Sequence, residues 1–304
     1  MKIVSQAPRR GALLCGVAFA IAASQAHAGM TDVSLFRTGE YTQTGATTVV
    51  PANGGANYYF AANTDVSSDS DYDVNGAQLS VPTGTSYTMT GPSGVSPFIE
   101  YSTSSPFLTK SELDSEFPSG DYVFSASNSG TGASAAATLT YDGTDFYPNT
   151  PTYTAATFNG LASLNATEGY TFAFAPFVPE ITGDIGLFLT ITDTTTDTVV
   201  YSNESGDDTT TEFSVGAGTF TAGDSYIADL DFTNRDEITS PPCVGSDPSQ
   251  CPSIGEVGWD SRTDVSFTVG AGAVPEPSEW VMLMLGFAGL GFVGYRAKQA
   301  PRAA

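Results

Sequence analysis

Short stretches rich in Thr, Val, Tyr, Phe and Ser recur along the middle of the chain. Gly, Pro, Asn and Asp cut them apart at intervals of about 8–15 residues. This punctuation constrains the fold more than any other feature. Runs with strand propensity lie at 33–36, 47–50, 56–61, 78–81, 86–90, 98–101, 121–127 and 136–141. They continue at 152–158, 169–174, 185–193, 198–202, 211–215, 225–231 and 263–269. Many short strands at even spacing, with little helical periodicity, predict an all-β antiparallel sandwich or barrel. The clearest strand is 186–192, where Leu187, Leu189 and Ile191 share one face and Phe188, Thr190 and Thr192 the other. It is expected to pair with 198–201 across a turn at 193–197. Tyr58-Tyr59-Phe60 lacks alternation and suits a central strand. One short helix is expected, at 108–116, with Thr109 or Ser111 as its cap and Glu112 in its first turn.

Tyr147-Pro148-Asn149-Thr150-Pro151 is stiff and polar, and a domain boundary is expected there. The reading is a signal peptide over 1–28, a β-rich domain over 29–147, a second β domain over 148–273 and a separate C-terminal segment over 274–304. Cys15 belongs to the first segment. Cys243 and Cys251 remain, framed by Pro241, Pro242, Pro248 and Pro252, and are expected to form a disulfide stapling a surface loop. The seven intervening residues are not the two of a redox motif.

Composition excludes several chemistries. Residues 29–273 hold four basic residues (Arg37, Lys110, Arg235 and Arg262) against 31 of the chain's 33 acidic ones, a net charge of −27. Such a surface repels nucleic acid and anionic headgroups. The only histidine, His27, lies in the first segment. Without it, Ser-His-Asp and Cys-His nucleophile systems and His-ligated zinc cannot be built in 29–273. Lys110, between Thr109 and Ser111, reads as an exposed turn residue.

Three kinds of candidate site remain. Asp71, Asp73 and Asn75, followed by Gly76, match the first positions of a calcium loop. Pro82 stands where the loop's bidentate Glu belongs, so only a partial Ca2+ site with Asp65 or Asp69 is implied; no other cofactor is expected. Asp207-Asp208 and Asp229 with Asp231 are further acid pairs; glycosidase chemistry needs two carboxylates about 5–10 Å apart, and among 31 acids the sequence singles out no pair. Trp259, the only Trp of 29–273, and Tyr58, Tyr59, Tyr101 and Tyr170 are candidates for a sugar-stacking platform.

The two ends carry addresses. Lys2, Arg9 and Arg10 precede an apolar run over 11–23, and Ala26-His27-Ala28 supplies small residues for cleavage after Ala28: a secretory signal peptide. Gly11-Ala12-Leu13 after the arginine pair favours the general secretion route over twin-arginine export. At the other end, Pro275-Glu276-Pro277 breaks regular structure, 280–295 is uncharged, and Arg296, Lys298 and Arg302 follow. Trp280 and Tyr295 bracket the apolar run as interfacial rings do, and the one-sided basic tail predicts a single transmembrane helix with the bulk of the chain outside. Pro275, Glu276, Pro277, Trp280 and Arg296, in this order, resemble the PEP-CTERM sorting signal in its PEPxxWA variant, with Val281 in place of the usual Ala. The resemblance covers about a tenth of the chain. It implies a Gram-negative source, recognition by an exosortase after signal peptidase has acted at the other end, removal of the tail, and delivery to the cell surface or extracellular polysaccharide. More loosely, Gly120, Tyr122 and Phe124 followed by Tyr147-Pro148 and Pro151 resemble the layout of some surface proteins with this signal. There, such elements precede a sandwich of immunoglobulin- or fibronectin-like texture. That implies one or two antiparallel β-sandwich domains.

The resulting expectation is an exported, non-catalytic cell-surface or matrix protein associated with exopolysaccharide or biofilm, held transiently in the inner membrane by 280–295. The alternatives are a secreted carboxylate-dependent polysaccharide hydrolase or lyase, and a calcium-dependent carbohydrate-binding module.

Overall fold

The computed structural model describes residues 30–66, 77–90, 98–127, 134–181, 184–245 and 251–270. These are mostly strand, arranged in several sheets. The largest has eight strands. Its main path runs β11 (Thr198–Ser205), β10 (Asp184–Asp193), β13 (Ser225–Thr239), β15 (Ile254–Thr268), β1 (Met30–Gly45), β3 (Tyr58–Val66) and β6 (Phe98–Ser102). The eighth, β2 (Thr48–Pro51), pairs with the far half of β1. A five-stranded sheet runs β14 (Cys243–Gly245), β8 (Ser134–Tyr141), β7 (Gly120–Ser127), β4 (Gln78–Ser80) and β5 (Ser86–Thr88). A two-stranded sheet joins β12 (Glu212–Val215) to β9 (Tyr170–Ala173).

One expectation needs correcting. The large sheet is mixed rather than antiparallel: β1 and β15 run parallel, in register from Asp32 opposite Ile254 to Thr42 opposite Asp264. A parallel pair needs a long crossover, and here nearly the whole described chain supplies it. The sheet also takes strands from both sides of position 147/148, so the two halves share one ladder. Local pattern cannot reveal a pairing across such a distance.

Alternation along β15 shows how one sheet serves two cores. Val257 and Trp259 point into the first core and Val265 and Phe267 into the second, all from the same face. The five-stranded sheet covers the first core with Leu79, Tyr122, Phe124 and Leu139, and helix α1 (Lys110–Glu116) adds Leu113. Phe172, Phe213 and Tyr153, with Leu161 of α2 (Ala155–Leu161), cover the second. Each such side chain contributes roughly 1.5–3 kcal/mol by leaving water. Leu187, Leu189 and Ile191 are buried on the expected face of β10.

Between the cores the inner face turns polar, and segment 146–153 crosses it. Ser261 Oγ donates to the Pro148 carbonyl at 3.0 Å, and Asn234 Nδ2 to the Phe146 carbonyl at 2.7 Å. Gln43 acts as a stand-in for backbone: its Nε2 donates to the Tyr153 carbonyl at 3.1 Å, and its Oε1 accepts from the Tyr153 N–H at 2.8 Å. The proline-rich stretch is therefore hydrogen-bonded across the seam between the cores.

Helix α1 begins with a capping box. Thr109 Oγ1 accepts from the Glu112 N–H, and the Glu112 carboxylate accepts from the Thr109 N–H. Among the described residues no helix is long and apolar enough to cross a membrane.

Candidate functional site

The outer face of the large sheet carries the charge. Successive outward positions on β13, β15 and β1 bring Asp231, Arg262 and Glu40 into one row, with Asp229 directly opposite Asp264 in the next. Arg262 lies at the centre of this array. Its Nη2 is 3.2 Å from Asp231 Oδ2, its Nε 3.4 Å from Asp229 Oδ2 and its Nη1 3.9 Å from Glu40 Oε1. Asp260, in the row beyond, accepts from Thr38 Oγ1 at 3.3 Å.

The carboxyls around this guanidinium are raised chiefly by burial, with repulsion between them adding to it. Burial pushes the Asp264 carboxyl up to about 6; the Arg262 charge opposes the shift and Glu40 adds to it. Asp229 is held well above the ordinary carboxylate range by burial, with Asp264 and Asp231 adding repulsion against the pull of Arg262. Glu40 is also raised by burial, while Arg262 and a hydrogen bond with Tyr59 oppose the shift. A second like-charge pair lies across β1 and β3, where Asp32 faces Asp65. Burial, then repulsion from and a shared hydrogen bond with Asp65, lift Asp32 to about 7.

The first core holds a separate network. Arg37, only 1% exposed, donates to the Phe117 carbonyl at 3.0 Å, pairs with Asp114, and lies 3.3 Å from Asp145. Its guanidinium sits 4.7 Å above the Tyr141 ring. Lys110 bridges Asp114, at 2.9 Å, and Asp145. Burial works against ionisation of Asp145, but hydrogen bonds from Lys110 and Tyr141 and the Arg37 charge outweigh it and hold its pKa below the usual value. Arg235 pairs with Asp184 at 3.6 Å. All four basic residues of 29–273 are thus committed to ion pairs, Lys110 included.

The structure brings Asp229 and Asp231 together around Arg262, and leaves Asp207 and Asp208 in an exposed turn. Cys243 and Cys251 form the expected disulfide, with their Cα atoms 5.7 Å apart. Trp259 is a core residue rather than a surface platform. It is 2% exposed, meets Phe146 edge-on at 5.0 Å, and donates from Nε1 to Asp145 at 3.2 Å. Its inward position on β15, facing the five-stranded sheet, is the reason. Tyr58, Tyr59, Tyr101 and Tyr170 are half-buried; Tyr58 and Tyr101 pack against the first core and Tyr170 against the second, while the Tyr59 hydroxyl accepts from Asn53 Nδ2 at 2.8 Å. Asp71, Asp73 and Asn75, and the motif residues Pro275, Glu276, Pro277, Trp280 and Arg296, lie outside the described residues. Among the described residues no group of three or more His, Cys, Asp or Glu side chains is arranged to hold a metal ion. A shallow recess of about 390 Å³ lies at the far end of the sheet, lined by Thr194, Ser225, Ser266 and Thr268 among others, and no carboxylate lines it.

Glu40, Arg262 and Asp264 gain their importance only from strand register, and the sequence offers no local signal for them.

No family model matches the sequence, and no curated protein matches it. Solved structures resemble it distantly. The chicken CNTN1 FN1-FN3 domains are 9% identical over 67% of this chain, with a TM-score of 0.22; the chain spans 62% of their length. Salmonella alpha-2-macroglobulin reacted with methylamine is 10% identical over 80%, with a TM-score of 0.25, and the chain spans 15% of it. A tetra-tandem repeat in the extending region of a large adhesion protein is 14% identical over 79%, with a TM-score of 0.17, and the chain spans 66% of it. Overlaps at these TM-scores do not amount to a shared topology.

Proposed function

We propose that this chain is an exported, non-catalytic cell-surface or extracellular-matrix protein of sandwich-like build that associates with exopolysaccharide. Its signal peptide and PEP-CTERM-like tail deliver it, and an exosortase removes the tail. The observation that carries the non-catalytic reading is the placement of the ionisable groups. Glu40, Asp229 and Asp264, all raised by burial, stand side by side on the outer face of the large sheet, around an arginine that pairs with Glu40 and Asp229. Asp229 and Asp264 point the same way from neighbouring strands, so neither can approach a bond from the side opposite the other, as glycosidase pairs do. The disulfide suits an oxidising compartment, and the Tyr122 hydroxyl, which donates to the Pro118 carbonyl four residues upstream at 2.7 Å, is of the kind found at sandwich corners.

The test is mass spectrometry of the protein recovered from culture surface and matrix fractions. The expected result is a mature N-terminus near residue 29 and a C-terminus ahead of 280. Recovery of intact protein through Ala304 would sink the sorting proposal.

One observation favours the hydrolase alternative: a carboxyl near pKa 6 beside other acids at Asp264. Incubating the purified protein and its Asp229→Asn and Asp264→Asn variants with neutral and acidic polysaccharides decides between the two. Release of reducing ends by the parent, and not by the variants, would establish the enzyme.

A further inference from the structure

The geometry points to a force-bearing role for the β1–β15 ladder. The chain enters the described body at the start of β1 and leaves it at the end of β15. These two strands are direct neighbours and run parallel over the whole register from Asp32 opposite Ile254 to Thr42 opposite Asp264. Because they are parallel, the point of entry and the point of exit lie at opposite ends of the ladder. Tension between the flanking segments therefore draws β1 and β15 past each other along their length. Every hydrogen bond of the ladder is then loaded together, so the strands must shear as a unit. Antiparallel neighbours entered and left at one end would peel apart one bond at a time.

Side chains add resistance to sliding. Phe36 packs its ring over Gly258, in the space that a Cβ at 258 would occupy. Moving one strand along the other would drive that ring into the flanking residues. Thr38 bonds Asp260, and Glu40 faces Arg262, both across the same ladder. Neither strand can leave with its partner intact elsewhere, since β13 pairs with β15 from Ser225–Thr268 to Thr239–Ile254 and β3 pairs with β1 from Met30 to Gly39.

This inference depends on strand pairing alone and stands whether or not the surface-protein proposal does. Single-molecule pulling tests it on the full exported protein. One attachment is placed ahead of Met30. The second is placed either just after Gly270 or, through a bio-orthogonal side chain, at the exposed Ser253 at the start of β15. The first geometry shears β1 against β15, and the second peels them from one end. Forced rupture reports the barrier along the pulled direction, and the expected result is a force about twofold or more higher in the first geometry than in the second. Replacing Phe36 by Ala is expected to lower the shear force and leave the peeling force unchanged. Equal forces in the two geometries, measured on protein with native circular dichroism, would overturn the clamp.

Discussion

Replacing Asp264 by Asn tests the electrostatics of the outer face directly. The Asp264 carboxyl lies opposite Asp229 and near Arg262 and Glu40, and its pKa is raised from 3.8 to about 6. The folded state therefore holds a proton that the unfolded chain releases. A raised acid binds more protons when folded, so its contribution to stability falls as pH rises from about 4 through 6, and the penalty is complete above that window. A shift of this size corresponds to about 3 kcal/mol, which solvent screening at a half-buried site reduces to roughly 1–2 kcal/mol. Asparagine keeps the shape without the charge. Urea unfolding followed by circular dichroism at pH 4.5, 6 and 8 is the assay. The variant should gain roughly 1–2 kcal/mol over the parent at pH 8, and the difference should narrow to about a third of that at pH 4.5. If the parent is more stable than the variant at pH 8, or the difference does not change with pH, the reasoning fails.

Three further outcomes are expected. Replacing Arg262 by Ala should cost about 3–5 kcal/mol at pH 8, because it strands Asp229, Asp231 and Glu40 without their counter-charge; the loss should shrink at pH 5, which the same urea titrations would show. Replacing Cys243 and Cys251 by Ser should cost about 2–3 kcal/mol, read as a lower denaturation midpoint that added reductant reproduces in the parent. If Asp71, Asp73 and Asn75 hold Ca2+, chelator should lower the melting temperature of the parent but not of an Asp71→Ala, Asp73→Ala variant; an unchanged parent would remove the calcium reading.

The elements legible in the sequence are those whose contacts are local. Leu187, Leu189 and Ile191 announce their buried face by alternation, and 198–201 follows across a short turn as its partner. Thr109 and Glu112 signal a helix start within four residues, and Cys243 and Cys251 have only each other in 29–273. The long strands are half-visible for a physical reason. Residues 225–231 and 263–269 lie over the second apolar core and alternate cleanly. Further along, both strands cross the polar seam, where Asn234 and Ser261 replace apolar residues on the inner face while charges continue on the outer one. Apolar alternation vanishes although the strand does not. The ion cluster is hidden more deeply. Asp229 and Asp231 are visible as a pair, but Arg262 and Glu40 join them only through two strand registers, one of them spanning most of the chain.

The disulfide loop has a consequence beyond stability. β14 is part of the connection between β13 and β15, yet it leaves the large sheet and pairs with Ala135, Ala136 and Ala137 on β8 of the other sheet. Thr138 N–H adds a bond to the Pro242 carbonyl. The segment it covers, Ser134–Tyr141, is uncharged and rich in Ala and Thr. It is the kind of bare strand margin on which further chains can pair without limit. β14 covers three residues of that margin, and the Cys243–Cys251 bond tethers its first residue. Reduced protein should accordingly clump at concentrations where oxidised protein stays dispersed, even under conditions in which both remain folded.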